Sequence, residues 1–185
     1  MDFVQARTIF NQLIESDALK RHCESVSLVM EAYAKKIGED PEKWRIAGLL
    51  HDADYEKYPD QHPNVIVKQL NTLGESRIAH AISAHHTGWG QSYDDPMDRY
   101  LLACDELTGF IIAVCWMRPT RIEGLTPKSV KKKLKTRSFA AGVDREEIER
   151  GIEIAGLDKD EHIAFIIDVL EQNKEDLGIA SPAQT

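Results

Sequence analysis

Apolar side chains recur along this chain at intervals of three and four, the spacing that gives a helix one buried face. Residues 2–15 place Phe3, Phe10, Leu13 and Ile14 on one side and predict a first amphipathic helix. From 18 to 36 the stripe is His22, Val26, Val29 and Tyr33, with Gly38 as the stop, so His22 shares the inward face of a second helix. Asp40-Pro41-Glu42 reads as an N-cap followed by proline at the first helical position, opening a third helix through Trp44, Ala47, Leu49 and Leu50 to about Asp52. Further helices are predicted over 63–73, stopped by Gly74, and over 76–85, followed by a loop at 87–94 that holds Gly88 and Gly90.

Asp95-Pro96-Met97-Asp98 repeats the cap-and-proline device and starts a long helix to about Cys115 or Trp116, with Leu101, Cys104, Leu107, Ile111 and Val114 inward. Arg118-Pro119 ends it, and Thr126-Pro127 starts a short basic helix through Lys135. Asp144 with Glu147, and Asp158 with Glu161, have the spacing of capping boxes before two last helices, the second burying Ile163, Ile166, Ile167 and Leu170. The tail at 181–185 is expected to fray. No stretch alternates in the manner of a strand. The expectation is all-α: one domain over 1–180, built as a bundle of about eight or nine helices.

Composition narrows the class. Of 185 residues, 42% are hydrophobic and 29% charged, which suits a globular chain with a real core and not a disordered one. No apolar run approaches the roughly 20 residues that span a bilayer, and Met1-Asp2-Phe3-Val4-Gln5 lacks a signal-peptide pattern. A cytoplasmic location with no membrane partner is expected. Cys23, Cys104 and Cys115 form no CxxC pair and sit in helical apolar stripes, which predicts buried free thiols. A net charge of −8 argues against general nucleic-acid binding. The charge is uneven, however: Arg118, Arg121, Lys128, Lys131, Lys132, Lys133, Lys135 and Arg137 face only Glu123 as an acid between them. That segment is either a phosphate-binding surface or a solvated helix face.

Candidate chemistry concentrates at 49–63. Leu49-Leu50 runs into His51-Asp52, and Asp54, Glu56, Asp60 and His62 follow. Imidazole nitrogen and carboxylate oxygen suit Fe, Mn, Zn, Co or Mg, whereas thiolates would suggest a structural zinc site. His22 and Asp105 offer the same donor types from two other predicted helices.

The order His22, then Leu50-His51-Asp52, then Ala103-Cys104-Asp105, each on a helix, resembles the HD superfamily of metal-dependent phosphohydrolases. The resemblance covers about 18–116 and leaves a helical extension over about 117–178. It implies an HD-type bundle in which His22, His51, Asp52 and Asp105 are the core metal ligands. Two-metal members, including the HD-GYP cyclic-dinucleotide phosphodiesterases and the HD-type diadenosine tetraphosphate hydrolases, carry further histidines before the last Asp. Here Gln61-His62-Pro63 and Ala84-His85-His86-Thr87-Gly88 stand in those places. By that likeness His62 and His85, with His86, are second-metal ligands and Asp52 bridges two ions. The implied cofactors are one or two divalent transition metal ions (Fe, Mn, Zn, Co) or Mg.

Two departures stand out. Asp54-Tyr55-Glu56 replaces the family's frequent Lys after the His-Asp pair, and Thr87-Gly88-Trp89-Gly90 stands where Gly-Tyr-Pro would follow the paired histidines. Both speak against cyclic-di-GMP hydrolysis, and the chain looks most like a branch of predicted HD hydrolases. Asp54 and Glu56 are then expected to orient a ligand or act as general base, and Arg118, Arg121, Lys128 and Lys132 to bind substrate phosphate. Trp89 and Tyr93 either stack on a base, close the pocket or anchor their loop. His80 reads as structural and His162 as a surface residue. The leading expectation is a phosphohydrolase acting on a small phosphorylated substrate, a nucleotide above all. A di-iron HD-fold oxygenase and a non-catalytic sensor or interaction module are the alternatives, and a homodimer is compatible with all three.

Overall fold

The cap-and-proline signals become the joints of a helical bundle. A computed structural model of the chain, describing residues 1–182, has nine α-helices and no β-strand among those residues. They are α1 (Phe3–Leu13), α2 (Asp17–Ile37), α3 (Pro41–Leu50), α4 (Asn64–Thr72), α5 (Ser76–His85), α6 (Pro96–Trp116), α7 (Pro127–Leu134), α8 (Arg145–Ala155) and α9 (Lys159–Gln172), with single 3₁₀ turns at Pro59–Gln61 and Thr87–Trp89. The side chain of Asp40 accepts from the backbone of Glu42 and Lys43, and Asp95 with Asp98 forms a capping box at the start of α6. Each satisfies amides that a helix start leaves without partners. Gly38 ends α2 at φ 80°, the left-handed conformation that glycine adopts without strain.

Two helices end apart from expectation. The third stops at Leu50 instead of near Asp52, and 51–57 runs on as tight turns in which Ala53 N–H donates to Leu50 O and Tyr55 N–H to Asp52 O. The fourth starts at Asn64, after Pro63, whose side chain offers no cap.

α6 is the axis of the molecule. It is buried on all sides, through Leu101, Cys104, Leu107, Phe110, Ile111 and Val114, and it packs against α2, α3, α5, α7, α8 and α9. α2 and α3 form the most extensive helix pair, and Gly48 is what lets them close. A Cβ on Gly48 would lie 2.7 Å from Ser27 Cα and 2.8 Å from Ser27 N, so backbone meets backbone there. Gly151 does the same for α8 on α6, where a Cβ would lie 2.8 Å from Leu102 O. Cys23, Cys104 and Cys115 are buried and free, as expected.

His162 corrects the reading that put it at the surface. It is 1% exposed: its Nε2–H donates to Ala103 O at 3.0 Å and its Nδ1 accepts from the Tyr33 hydroxyl at 2.6 Å. A buried ring with one nitrogen facing a carbonyl must donate there, which fixes the tautomer and makes Tyr33 the other donor. The cap acid Asp158 sits on the helix start, while His162 one turn on faces α2 and α6. The chain end is also tied down. Leu177 O accepts from Arg21 Nε, Ile179 O from Ile122 N–H, and Thr120 O from the Ser181 hydroxyl. The part of the predicted frayed tail at 183–185 lies outside the described residues. No helix among the described residues is long and apolar enough to cross a membrane.

Candidate metal centre

Donors from α2, from the turn after α3 and from α6 converge beside the middle of α6. His22 comes from the second turn of α2, His51 and Asp52 from the turn leaving α3, and Asp105 from α6. Their donor atoms crowd together: His22 Nε2 lies 3.0 Å from Asp105 Oδ1, 3.0 Å from His51 Nε2 and 3.6 Å from Asp52 Oδ2. His51 Nε2 is 3.2 Å from Asp105 Oδ1 and 3.5 Å from Asp52 Oδ2. The other oxygen of Asp52 faces a second group, with His62 Nε2 at 3.3 Å and His85 Nε2 at 3.5 Å. Asp52 is therefore common to two donor groups, His22–His51–Asp52–Asp105 and Asp52–His62–His85.

The donor set fits divalent ions. Ligands about 2.1 Å from an ion stand roughly 3.0 Å apart at right angles and roughly 3.4 Å apart at tetrahedral angles, the spacing found here. The ring orientations agree. His51 Nδ1–H is committed to Gly48 O at 2.8 Å, His85 Nδ1–H to Ile82 O at 2.6 Å and His62 Nδ1–H to Asp54 Oδ1 at 2.7 Å, which leaves each Nε2 lone pair free to face the centre. Two Nε2 atoms at 3.0 Å, as in His22 and His51, have no reason to meet unless something positive lies between or upon them.

Burial pushes the His51 ring down, but Asp52 and Asp105 outweigh it and lift its pKa to about 9. Burial raises both carboxyls in turn, yet the neighbouring imidazoles hold Asp52 and Asp105 far below the usual carboxylate range. Ionised carboxylates and donor nitrogens that ions can take over from protons are what a divalent site needs.

The centre opens into a cavity of about 490 Å³. Its mouth and walls add Tyr55, His86, Thr87, Glu106, Gly109, Val143 and Glu147 to the donor residues, and no Lys or Arg lines it. Burial first, and then the charge of Asp105, lifts the Glu106 carboxyl to about 7. Gly109, one helical turn after Asp105, makes room for the His22 ring, since a Cβ there would sit 3.2 Å from His22 Nδ1.

The remaining predicted residues fall elsewhere. His86 lines the cavity with its ring centroid 6.0 Å from that of His62, outside both donor groups. Asp54 is fully buried and does not line the cavity; its oxygens accept from His62 and from Ile66 N–H at 2.9 Å. Glu56 is exposed and turned to another task, its Oε2 accepting from the backbone of Glu15 and Ser16 at 3.0 Å each. Arg118 spends its guanidinium on Arg121 O and Glu123 O, and Arg121 bonds to Trp116 O while stacking on that ring at 4.2 Å. Lys128 and Lys132 are exposed on α7, Lys132 beside a separate cavity of about 340 Å³. None of the four basic residues lines the metal cavity. Trp89 packs on His86 with ring centroids 5.8 Å apart, the Arg150 guanidinium lies 6.0 Å from the Tyr93 ring, and neither aromatic lines the cavity. His80 pairs with buried Asp98 at 3.1 Å, apart from the centre.

Sequence reasoning missed Glu106, Gly109, Val143 and Glu147. Gly109 did carry a signal: a glycine inside a long helix costs about 1 kcal/mol against alanine and so marks close packing. Val143 and Glu147 carried none, because they arrive from 40 residues beyond the motifs.

The family model described as HD domain matches residues 19–114. That span is just over half of the chain and holds all six donor residues, and the chain belongs to this family. No curated protein and no solved structure matches it.

Proposed function

We propose that this HD-domain protein is a metal-dependent phosphohydrolase that cleaves a phosphate ester or anhydride of a small molecule, with nucleotides the first class to test. The observation that carries this reading is Asp52, whose two oxygens face two donor groups at the base of one open cavity. Such pairing is the arrangement by which hydrolases clamp a phosphoryl group.

The roles follow from the residues. His22, His51, Asp52 and Asp105 would hold one ion, and Asp52, His62 and His85 a second. Divalent ions bound there supply Lewis acidity, which lowers the pKa of water toward neutrality and offsets phosphoryl charge. His51 and His85 keep fixed tautomers through carbonyls of their own turns, so no reorientation is needed on binding. Glu106 and Glu147 line the cavity together with the donors and would restrict which substrate groups enter. With no Lys or Arg in the lining, affinity for an anion depends on the ions themselves.

That same absence supports a second reading, an oxygenase using iron in this nitrogen and oxygen donor set. One experiment separates them. Protein purified without chelator is analysed for metal and screened against mononucleotides, dinucleoside polyphosphates and sugar phosphates, in air and under strict anaerobiosis. Phosphate release that persists without dioxygen is the expected result. Turnover that needs dioxygen supports the oxygenase, and a chain that holds no metal sinks both readings.

A further inference from the structure

We propose that Asp54 is the positioning residue of the second ion site, so that the two sites are filled through different residues and with unequal affinity. This rests on the two-ion reading above. The two donor groups are not equals: the first has four protein donors, the second three, one of them an oxygen of the shared Asp52. In the first group His22 and Asp105 lie inside α2 and α6, and in the second His85 lies inside α5. His62 instead sits between a 3₁₀ turn and α4, outside any α-helix. Something other than helix geometry has to aim its ring.

Asp54 is placed to do so. It is wholly buried, its Oδ1 accepts His62 Nδ1–H at 2.7 Å, and its Oδ2 accepts Ile66 N–H at 2.9 Å in the first turn of α4. The cap position of α4 is Pro63, which makes no side-chain capping bond, so Asp54 supplies from a distance the acceptor this helix start lacks. One carboxylate thus fixes His62 and the helix that follows it in a single frame. No Lys or Arg pairs with Asp54 among the described residues; its ion-pair partner is His62.

The backing also differs in kind from that of the other rings. His51 and His85 donate to backbone carbonyls, Gly48 O and Ile82 O, whereas His62 donates to a carboxylate oxygen. A carboxylate behind an imidazole makes the opposite nitrogen a stronger donor, and removing such a partner costs about 10- to 100-fold in metal affinity. The site with fewer donors is the one that has a carboxylate behind a ligand. Asp54 does not line the cavity, so it acts through His62 and touches no substrate.

The test uses the full chain, stripped of metal and titrated with Zn²⁺ by calorimetry, with metal content read by mass spectrometry. The wild-type chain is expected to take two ions in two resolved steps. Asp54→Asn puts an amide N–H against Ile66 N–H or His62 Nδ1–H; the weaker step should drop about 10- to 100-fold while the stronger stays within twofold. A residue of merely structural importance would weaken both steps together. In a His62→Ala background, adding Asp54→Asn should cause no further loss of ion binding. Should Asp54→Asn fail to fold, the His62 Nδ1–H resonance of the wild-type chain serves instead. A low-field, exchange-protected signal that disappears in His62→Ala is expected, and its absence overturns the proposal. Two wild-type steps that Asp54→Asn leaves unchanged, or weakens in parallel, overturn the role of Asp54 alone. A wild-type chain that takes up fewer than two ions overturns the two-ion reading and this inference with it.

Discussion

All six donor residues lie between His22 and Asp105, inside the span matched by the family, whereas the chain beyond Trp116 supplies the cavity only with Val143 and Glu147. The two regions are built on different principles. In the first, polar groups converge: rings are pinned by carbonyls and a carboxylate, and glycines thin the helices so that ligands can meet. In the second, polar groups are spent on packing, with His162 bracing α2 and α6, Arg118 tying its loop together and Gly151 seating α8. The strongly basic segment belongs to the second region, and Arg118, Arg121, Lys128 and Lys132 lie outside the cavity lining.

The hardest blow to this division is Asp52→Ala. It removes one donor from each group at once, and should abolish tight metal uptake and lower any phosphate release by about three orders of magnitude, roughly 4 kcal/mol of barrier. Metal content and turnover measured side by side check it. Activity retained with both ions bound would mean that the convergence at Asp52 is only structural.

Much of this contrast could be read from sequence, and the parts that could not have physical reasons. Asp40-Pro41 and Asp95-Pro96 announced α3 and α6 because capping is local chemistry within four residues. His22, His51, Asp52 and Asp105 were marked by donor type and by an order that resembles the HD superfamily, and His22 also by its place on an inward face. Which of Asp54 and Glu56 backs a ligand was not legible. Both are acids in one turn next to the ligands, yet one is buried against His62 and the other is exposed against the start of α2. Only tertiary placement separates them. His162 failed for a similar reason: its neighbour in sequence is a cap acid, but its partners are Tyr33 and Ala103, 129 and 59 residues away.

His162 provides the next test, now of the second region. Burial pushes its pKa down to about 4 from the ordinary 6.5. Between those values the unfolded chain binds the proton and the folded chain does not, so stability is complete above about pH 6.5 and falls as pH drops toward 4. The loss amounts to about 3 kcal/mol. Urea unfolding at pH 7 and pH 5 should show the decline. His162→Gln, which can still donate to Ala103 O and accept from Tyr33, should flatten that part of the profile.

Two alanine substitutions then set the regions directly against each other. Gly48→Ala and Gly151→Ala each force a Cβ to within 3 Å of backbone atoms, and each should cost about 1–3 kcal/mol of stability. Their effects on the centre should differ. Gly48 lies one turn before His51 and its carbonyl holds that ring, so pushing α3 off α2 also parts His51 from His22 and weakens metal binding. Gly151 presses on Leu102 and Ala103 from the far region, and its variant should unfold more easily while keeping the metal content of the wild type.

The smallest effect expected is the most pointed about charge. Lys128 and Lys132 are exposed, make no contact with the metal cavity and sit on a helix whose inward residue is Val130. Replacing both with Ala should alter stability by no more than about 0.5 kcal/mol and leave kcat/KM within about twofold. A loss of tenfold or more in KM for a phosphorylated substrate, reversed by high salt in the wild type, would assign these lysines a steering role. The basic segment would then act on the reaction from outside the cavity, through its field, and the two regions would share the chemistry after all.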